Sequence, residues 1–487
     1  MTDPLVMGLL IAGLLVIDGL ARPSEMAVAR LRSWRGTGVL LGSSAFVLGN
    51  LLYLTGAWMP SLLMVLALAG SLTLASNIKR QVLGEPLVFS DFALVGAIFQ
   101  HPHFYLSALR PWQLVMIAGG ILILATIIVM FSSGDAGLRF TGLGIAVAAG
   151  LWLGCMVYLP QWRILAQEPD LDRDVLEHGL VATLVVYWHL WGRLPVLADC
   201  TSPPIYGEPQ QLVVVVQCES FADPTALFGA ESQALPGLTR AQALAWRSGR
   251  LMVSGFGAYT MRTEFGVLFG IPESKLGLRR FDPFLTAAAA ASWSLPNRIG
   301  GKAWSMTFVH PHDMRFYGRD KLMPAAGFDE LVGEDAFAQP APADGRFVKD
   351  EALCDKLLEL AASAEGSSLI YAVTIENHGP WSADGGKGAE GNKAGYLRLL
   401  LRSDAMLSRL IEELPKLGRP ITLCFFGDHR PSIPFVSTPG GDRHTPYVIV
   451  RFDASGTPIT SSDRGKDLTP AGLHGAMLEA IGSGRGQ

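Results

Sequence analysis

The sequence predicts a chain in two parts: an N-terminal helical transmembrane domain of about five spans, and a C-terminal α/β domain on a central, largely parallel sheet. Three observations lead there. Before Pro160 the apolar residues fall in runs of bilayer length, and after Gln210 in short runs broken by Gly, Pro and charge. A mean hydropathy of +0.32 with 17% charged residues is high for a soluble enzyme. Helical patterns alternate with the short C-terminal runs, the order of an α/β domain. The boundaries read as 1–160 for the membrane domain, 161–210 for an interfacial helix and linker, and 211–487 for the globular domain. A net charge of -4, with no long block of Lys or Arg, gives no sign of nucleic-acid binding. The five cysteines form no C-x-x-C pair, and Cys155, Cys218 and Cys424 read as buried free thiols.

The membrane runs lie at about 4–20, 38–58, 60–76, 113–132 and 139–159. The first lacks a basic leader and a small-residue cleavage site, so it reads as a retained span. Asp18, near its end, is expected to snorkel to the interface. Leu87–Phe99, interrupted by Asp91, is short enough to be re-entrant or interfacial. Arg22, Arg30, Arg32 and Arg35, then Lys79 and Arg80, would make their loops cytoplasmic by the positive-inside rule, and five spans would put the C-terminal domain there too. Glu177–Trp191 reads as a helix in the interface, with Tyr187, Trp188 and Trp191 clustered at one end. The Pro-rich Thr201–Pro209 is the hinge that follows.

In the globular part, Val213–Val216 is the pattern of a strand buried on both faces, and it ends at Glu219. A carboxylate at that tip is notable because ligands bind at the carboxyl ends of strands in open α/β sheets. Further strands are predicted at Trp304–Val309, Leu369–Thr374, Ile421–Phe426 and Tyr447–Val450. Helices are predicted at Asp350–Ala362 and Tyr396–Glu413, and surface loops at Ser382–Gly395 and Gln339–Asp344.

Strand ends carry the chemistry. Ile421–Gly427 runs into Asp428-His429, a hard oxygen beside an imidazole, which suits a divalent cation. The alternative is a His429 that merely bonds a loop carbonyl. His378 in Ile375-Glu-Asn-His and His310 in Val309-His-Pro-His312 end two other strands. Gly255–Phe265 turns from a Gly-rich loop into a helix start. There Thr260 is either an N-cap, with Thr263 or Glu264 closing a capping box, or a hydroxyl that a metal activates where the helix dipole favours a phosphoryl group.

Glu219-Ser-Phe, Thr260-Met-Arg-Thr-Glu-Phe, His310 with Phe316-Tyr-Gly-Arg319-Asp320, Asn377-His378 and Gly427-Asp428-His429 together resemble the lipoteichoic acid synthase family of phosphoglycerol transferases, in the alkaline phosphatase and sulfatase superfamily. Asn77–Asp91 resembles the loop after the third span of those five-span proteins. The resemblance implies that Glu219, Thr260, Asp428 and His429 hold one divalent cation, Mn2+ or Mg2+, with Zn2+ as the alternative. It implies Thr260 as nucleophile and His310, Tyr317, Arg319 and His378 around the phosphate and glycerol. Tyr317 stands where the family has Trp, so the head group stays open. His444 has no firm counterpart and is expected one step removed from the reacting atoms.

The implied reaction moves glycerol phosphate from a phosphatidylglycerol-like lipid to a cell-envelope glycan or polymer through a phospho-threonine. The implied location is the cytoplasmic (inner) membrane, with the catalytic domain facing the periplasm or exterior, against the loop arginines. The rivals are a phosphoethanolamine transferase, a sulfatase, for which no C-x-P-x-R context exists, and a non-catalytic scaffold.

Overall fold

The computed structural model describes residues 4–21, 32–94, 111–229, 233–300, 304–338, 340, 345–381, 388–461 and 465–483. The chain forms two compact units, Met1–Pro195 and Val196–Gln487.

The first unit contains helices α1 (Pro4–Gly19), α2 (Trp34–Thr55), α3 (Trp58–Leu83), α4 (Pro111–Phe131), α5 (Ala136–Val157), α6 (Leu171–His178) and α7 (Leu180–Trp191). Three of them, α2, α3 and α5, are long and apolar enough to cross a membrane by length and composition among the described residues, and α1 is a shorter apolar helix. Close backbone approach joins α2 to α5. A Cβ on Gly49 would lie 2.4 Å from the Ala146 nitrogen, and one on Gly142 2.5 Å from the Tyr53 nitrogen. Small residues thus let two apolar helices meet without side chains between them. Since Gly38 faces Met156, the two run antiparallel and the start of α2 lies beside the end of α5.

Asp18 departs from the expectation of a snorkelling carboxylate. It is 3% exposed, lies 3.1 Å from the Arg32 guanidinium, and accepts the Leu180 N–H at 3.0 Å. A charge can stay buried here because a cation and an amide meet it. Lys79 pairs with Glu85 and Asp91, and Arg80 with Asp172. Arg22 and Arg30 lie outside the described residues, as does Val95–Phe99; Phe89–Leu94 is a short 3-10 turn. Along α7, Leu180, Ala182, Thr183, Leu184, Val186 and Tyr187 are buried, while Trp188 is exposed.

The second unit is built on an eight-stranded sheet in the order β2-β7-β6-β1-β5-β3-β4, with β8 on β7. The strands are β1 (Leu212–Cys218), β2 (Arg247–Leu251), β3 (Trp304–Val309), β4 (Glu330–Val332), β5 (Ser367–Val373), β6 (Ile421–Gly427), β7 (Thr445–Phe452) and β8 (Pro458–Ile459). Neighbours from β6 through β1, β5 and β3 to β4 are parallel. The other edge departs from the largely parallel expectation, since β7 is antiparallel to β6, β2 and β8. The sheet is mixed.

The valine run has the predicted cause. Val213 and Val215 enter one hydrophobic core and Val214 and Val216 the other, one on each face of the sheet. The first core takes residues from α9 (Thr260–Phe269) and α13 (Pro470–Gly482); the second takes them from α8 (Pro236–Leu244), α11 (Asp350–Ser363) and α12 (Gly388–Glu413). Helix α10 (Arg319–Ala325) adds Leu322 and Met323 to the first core. Helix α12 starts earlier than predicted, so Gly388–Gly395 is helical where a loop was expected. A Cβ on Gly395 would sit 1.9 Å from the Trp381 carbonyl oxygen, a close approach only glycine permits. Residues 382–387, and all of the predicted 339–344 loop except Pro340, lie outside the described residues.

Candidate metal centre

Register brings the first ligands together. β1 and β6 pair Cys218 with Gly427, so Glu219 and Asp428 leave adjacent strand ends at the same level. Glu219, Asp428 and His429 are all buried, each offering a ligand atom within 4.8 Å of the others. His429 Nε2 lies 3.5 Å from Glu219 Oε1, 3.5 Å from Asp428 Oδ2 and 3.4 Å from Thr260 Oγ1.

Each group is fixed from behind. The Glu219 N–H donates to Thr374 Oγ1 at 2.9 Å, and the Ser220 hydroxyl donates to Glu219 Oε1 at 2.8 Å. Ser220 adopts a left-handed φ of 52°, and its N–H donates to Asp428 Oδ1. Gly427 precedes Asp428 where a Cβ would fall 1.8 Å from the Phe221 carbonyl oxygen. The ring Nδ1 of His429 faces the Arg430 carbonyl at 3.2 Å. A carbonyl only accepts, so the proton sits on Nδ1 and Nε2 turns its lone pair to the centre. The loop-carbonyl bond considered as an alternative thus exists, and it orients the ligand.

Thr260 is the first residue of α9. The N-cap position belongs to Tyr259, in a left-handed conformation at φ 74°, and no side chain caps the helix. The capping-box alternative fails, because Thr263 Oγ1 donates to the Asp428 carbonyl at 2.7 Å and Glu264 pairs with Arg319. The Thr260 hydroxyl therefore faces the ligands from a helix N-terminus.

Two buried carboxylates and an imidazole fit a divalent cation chemically. The sharper sign is Asp428 Oδ2, buried with no hydrogen-bond partner among the described residues. Burial, then the neighbouring Glu219 carboxylate, pushes the Asp428 carboxyl up to about 6. For His429 burial acts downward, but the Asp428 and Glu219 charges outweigh it and raise its pKa. The rise at His429 reports the negative charge of the two carboxylates, and the rise at Asp428 reports first its burial and then Glu219 beside it, a charge a cation would relieve.

A second group sits at the ends of β3 and β5. Arg319 is 1% exposed and holds Glu264 through both carboxylate oxygens, at 3.1 and 2.6 Å. Its Nη1 lies 3.4 Å from His310 Nε2, and its guanidinium is 5.2 Å from the Tyr317 ring centre. His310 Nδ1 faces the Val373 carbonyl at 3.0 Å; burial and Arg319 push its pKa well down. His378 Nδ1 faces the Gly379 carbonyl at 2.8 Å, and burial, with a smaller effect from His429, pushes it down to about 4. Both imidazoles are neutral with the proton on Nδ1. Because Glu264 lies one turn beyond Thr260 on α9, the Arg319 pair ties this group to the helix that begins at Thr260.

His444 stands apart. It contacts Asp442, and Arg430 Nη2 reaches its ring at 3.1 Å. Sequence reading missed Ser220, Thr374 and Arg430, and only adjacency to Glu219 and His429 could have flagged the first and last.

Residues 211–466 match the family described as Sulfatase. The capsular polysaccharide biosynthesis protein RkpI of Rhizobium meliloti is 32% identical over 429 residues, covering 83% of this chain and 79% of that protein. A putative cyclic beta-1,2-glucan modification protein of the same organism is 26% identical over 256 residues, 50% of this chain and 38% of the other. Among solved structures, the Streptococcus pyogenes phosphoglycerol transferase GacH, in complex with sn-glycerol-1-phosphate, is 20% identical with a TM-score of 0.46, covering 55% of this chain and 74% of that one. With a family match over more than half its length and a relative at 32% identity across most of both chains, the protein belongs to the sulfatase family, in the superfamily its motifs resemble.

Proposed function

We propose that the protein is a membrane-anchored phosphoglycerol transferase that moves glycerol phosphate from a phosphatidylglycerol-like lipid to a cell-envelope glycan or polymer. The observation that carries this reading is Thr260 Oγ1, uncapped at a helix N-terminus and 3.4 Å from His429 Nε2. The similarity to RkpI, a capsular polysaccharide biosynthesis protein, supports a glycan acceptor.

Glu219, Thr260, Asp428 and His429 would hold one cation, Mn2+, Mg2+ or Zn2+. When bound, it supplies the positive charge that lowers the pKa of the Thr260 hydroxyl and neutralises phosphoryl oxygens. Thr260 Oγ1 attacks phosphorus as the bond from phosphorus to the diacylglycerol oxygen breaks, the threonine's proton ends on that departing oxygen to give diacylglycerol, and phosphoglycerol stays on the threonine. Arg319, held rigid by Glu264, presents its remaining N–H groups to the non-bridging oxygens. His378, neutral with its lone pair on Nε2, accepts a hydrogen bond from a glycerol hydroxyl, while the His310 Nε2 lone pair receives Arg319 Nη1 and holds that guanidinium in place, and Tyr317 walls the pocket. A hydroxyl of the acceptor then takes the phosphoglycerol and Thr260 recovers its proton. The helices of the first unit keep the site at the membrane, with the catalytic unit on the periplasmic or outer side.

Mass spectrometry of the full chain incubated with phosphatidylglycerol tests this. The expected result is a glycerol-phosphate adduct on Thr260, absent in Thr260→Ala. Adduct formation from phosphatidylethanolamine instead would move the head group to the rival transferase. Transfer from phosphatidylglycerol surviving in Thr260→Ala would end the covalent mechanism.

A further inference from the structure

Around His310, Arg319 and His378 runs a set of rings the reaction above does not use. His312 lies 5.9 Å from His310, centre to centre, and 6.3 Å from Phe316, which is 4.3 Å from Tyr317 above Arg319. In the other direction His312 lies 6.0 Å from Phe347, and Phe347 lies 5.8 Å from His378. The exposed Arg346 guanidinium is 4.7 Å from the Phe347 ring centre. Two arcs thus leave His310, one ending at Arg319 and the other at His378.

None of His312, Phe316 and Phe347 belongs to either core on the faces of the sheet, and all three are only half-buried. Aromatic rings held partly in water at the mouth of a site, and not needed by the core, mark a binding surface. We propose that His312, Phe316, Phe347 and Arg346 form the subsite for the sugar ring of the acceptor, an inference that rests on the transfer reading above. A sugar ring offers an apolar C–H face and a rim of hydroxyls. This surface offers the complement, with an imidazole between two phenyl rings and a guanidinium over one of them. An acyl chain would call for an unbroken aliphatic lining, and here polar groups interrupt the aromatic ones.

Calorimetric titration of the full chain with a neutral glucan oligosaccharide, beside measurement of Thr260 loading from phosphatidylglycerol, tests the subsite. Saturable binding is expected in the wild type, weakened about tenfold in Phe347→Ala and His312→Ala. Phe347→Tyr should restore it, and loading of Thr260 should persist in all three, which also shows that they fold. The subsite is overturned by no saturable binding in the wild type, by undiminished binding in both alanine variants, or by a Phe347→Ala that loses loading as much as binding, since its ring would then serve the lipid. Failure of Thr260 to load in the wild type would sink the transfer reading alone, and the titration would still decide the sugar site.

Discussion

At the scale of single residues the telling atom is Asp428 Oδ2, a buried carboxylate oxygen that His429 Nε2 approaches only to 3.5 Å and that has no well-formed hydrogen bond among the described residues. Leaving such a group unmet costs on the order of 1–3 kcal/mol, more when it is charged. A cation that meets it should stabilise the fold by mass action, about 2.7 kcal/mol at a hundred times its Kd. Thermal unfolding of the full chain with increasing Mn2+ should therefore show a rising Tm, and Asp428→Asn should abolish the rise. An equal rise in the variant would remove Asp428 from the centre. Glu219 and Asp428 were legible in the sequence because charge at the tip of a buried strand is conspicuous. Ser220 and Thr374 were not, since hydroxyls that tie a loop look like any other loop residue. Asp18 misled for the opposite reason: its partners, Arg32 and the Leu180 amide, are remote in sequence.

At the scale of elements, the five strands read from apolar runs are all present, and the three that were missed carry little of that signal. β2 is Arg-Ser-Gly-Arg-Leu, β4 has three residues and β8 two. The antiparallel β7 shows a further limit, because burial on both faces gives the same sequence pattern whichever way a strand runs. Within the early part of α12, Gly395 lies so close to the Trp381 carbonyl that no Cβ would fit, a contact that no local propensity encodes. Strand exits matter more to the site than strand interiors. Gly427→Ala would drive a Cβ against the Phe221 carbonyl, and overpacking of this kind costs about 1–3 kcal/mol. The expected outcome is a lowered Tm together with loss of Thr260 loading, because the chain bearing Asp428 must move to make room. Unchanged loading would show that the exit tolerates the shift.

For the whole molecule, the question is which side of the membrane the catalytic unit faces. Since α2 and α5 are antiparallel, the chain leaves α5 at the end where Arg32 enters α2. The loop cations and the connector share that end. Arg32, Lys79 and Arg80 are each paired with a carboxylate. The positive-inside rule still counts these cations, and the proposed function requires the outward orientation against it. Cys218, Cys354 and Cys424 are buried, while Cys155, expected buried, is exposed on the surface of α5, so Cys200, partly exposed at the start of the second unit, offers a test in a Cys155→Ser background. A membrane-impermeant maleimide should label intact cells at Cys200, and Cys200→Ser should lose the label. Labelling only after lysis would place the unit inside.

The pairing of Cys218 with Gly427 bears on how the gene can change. Side chains alternate along a strand, so losing one codon within β1 would exchange its two valine faces and draw Glu219 back into the sheet while Asp428 stayed in place. Substitutions among the valines alter only volume. The centre should therefore tolerate drift in the composition of β1 and β6, but no insertion or deletion in one strand without a compensating change in the other.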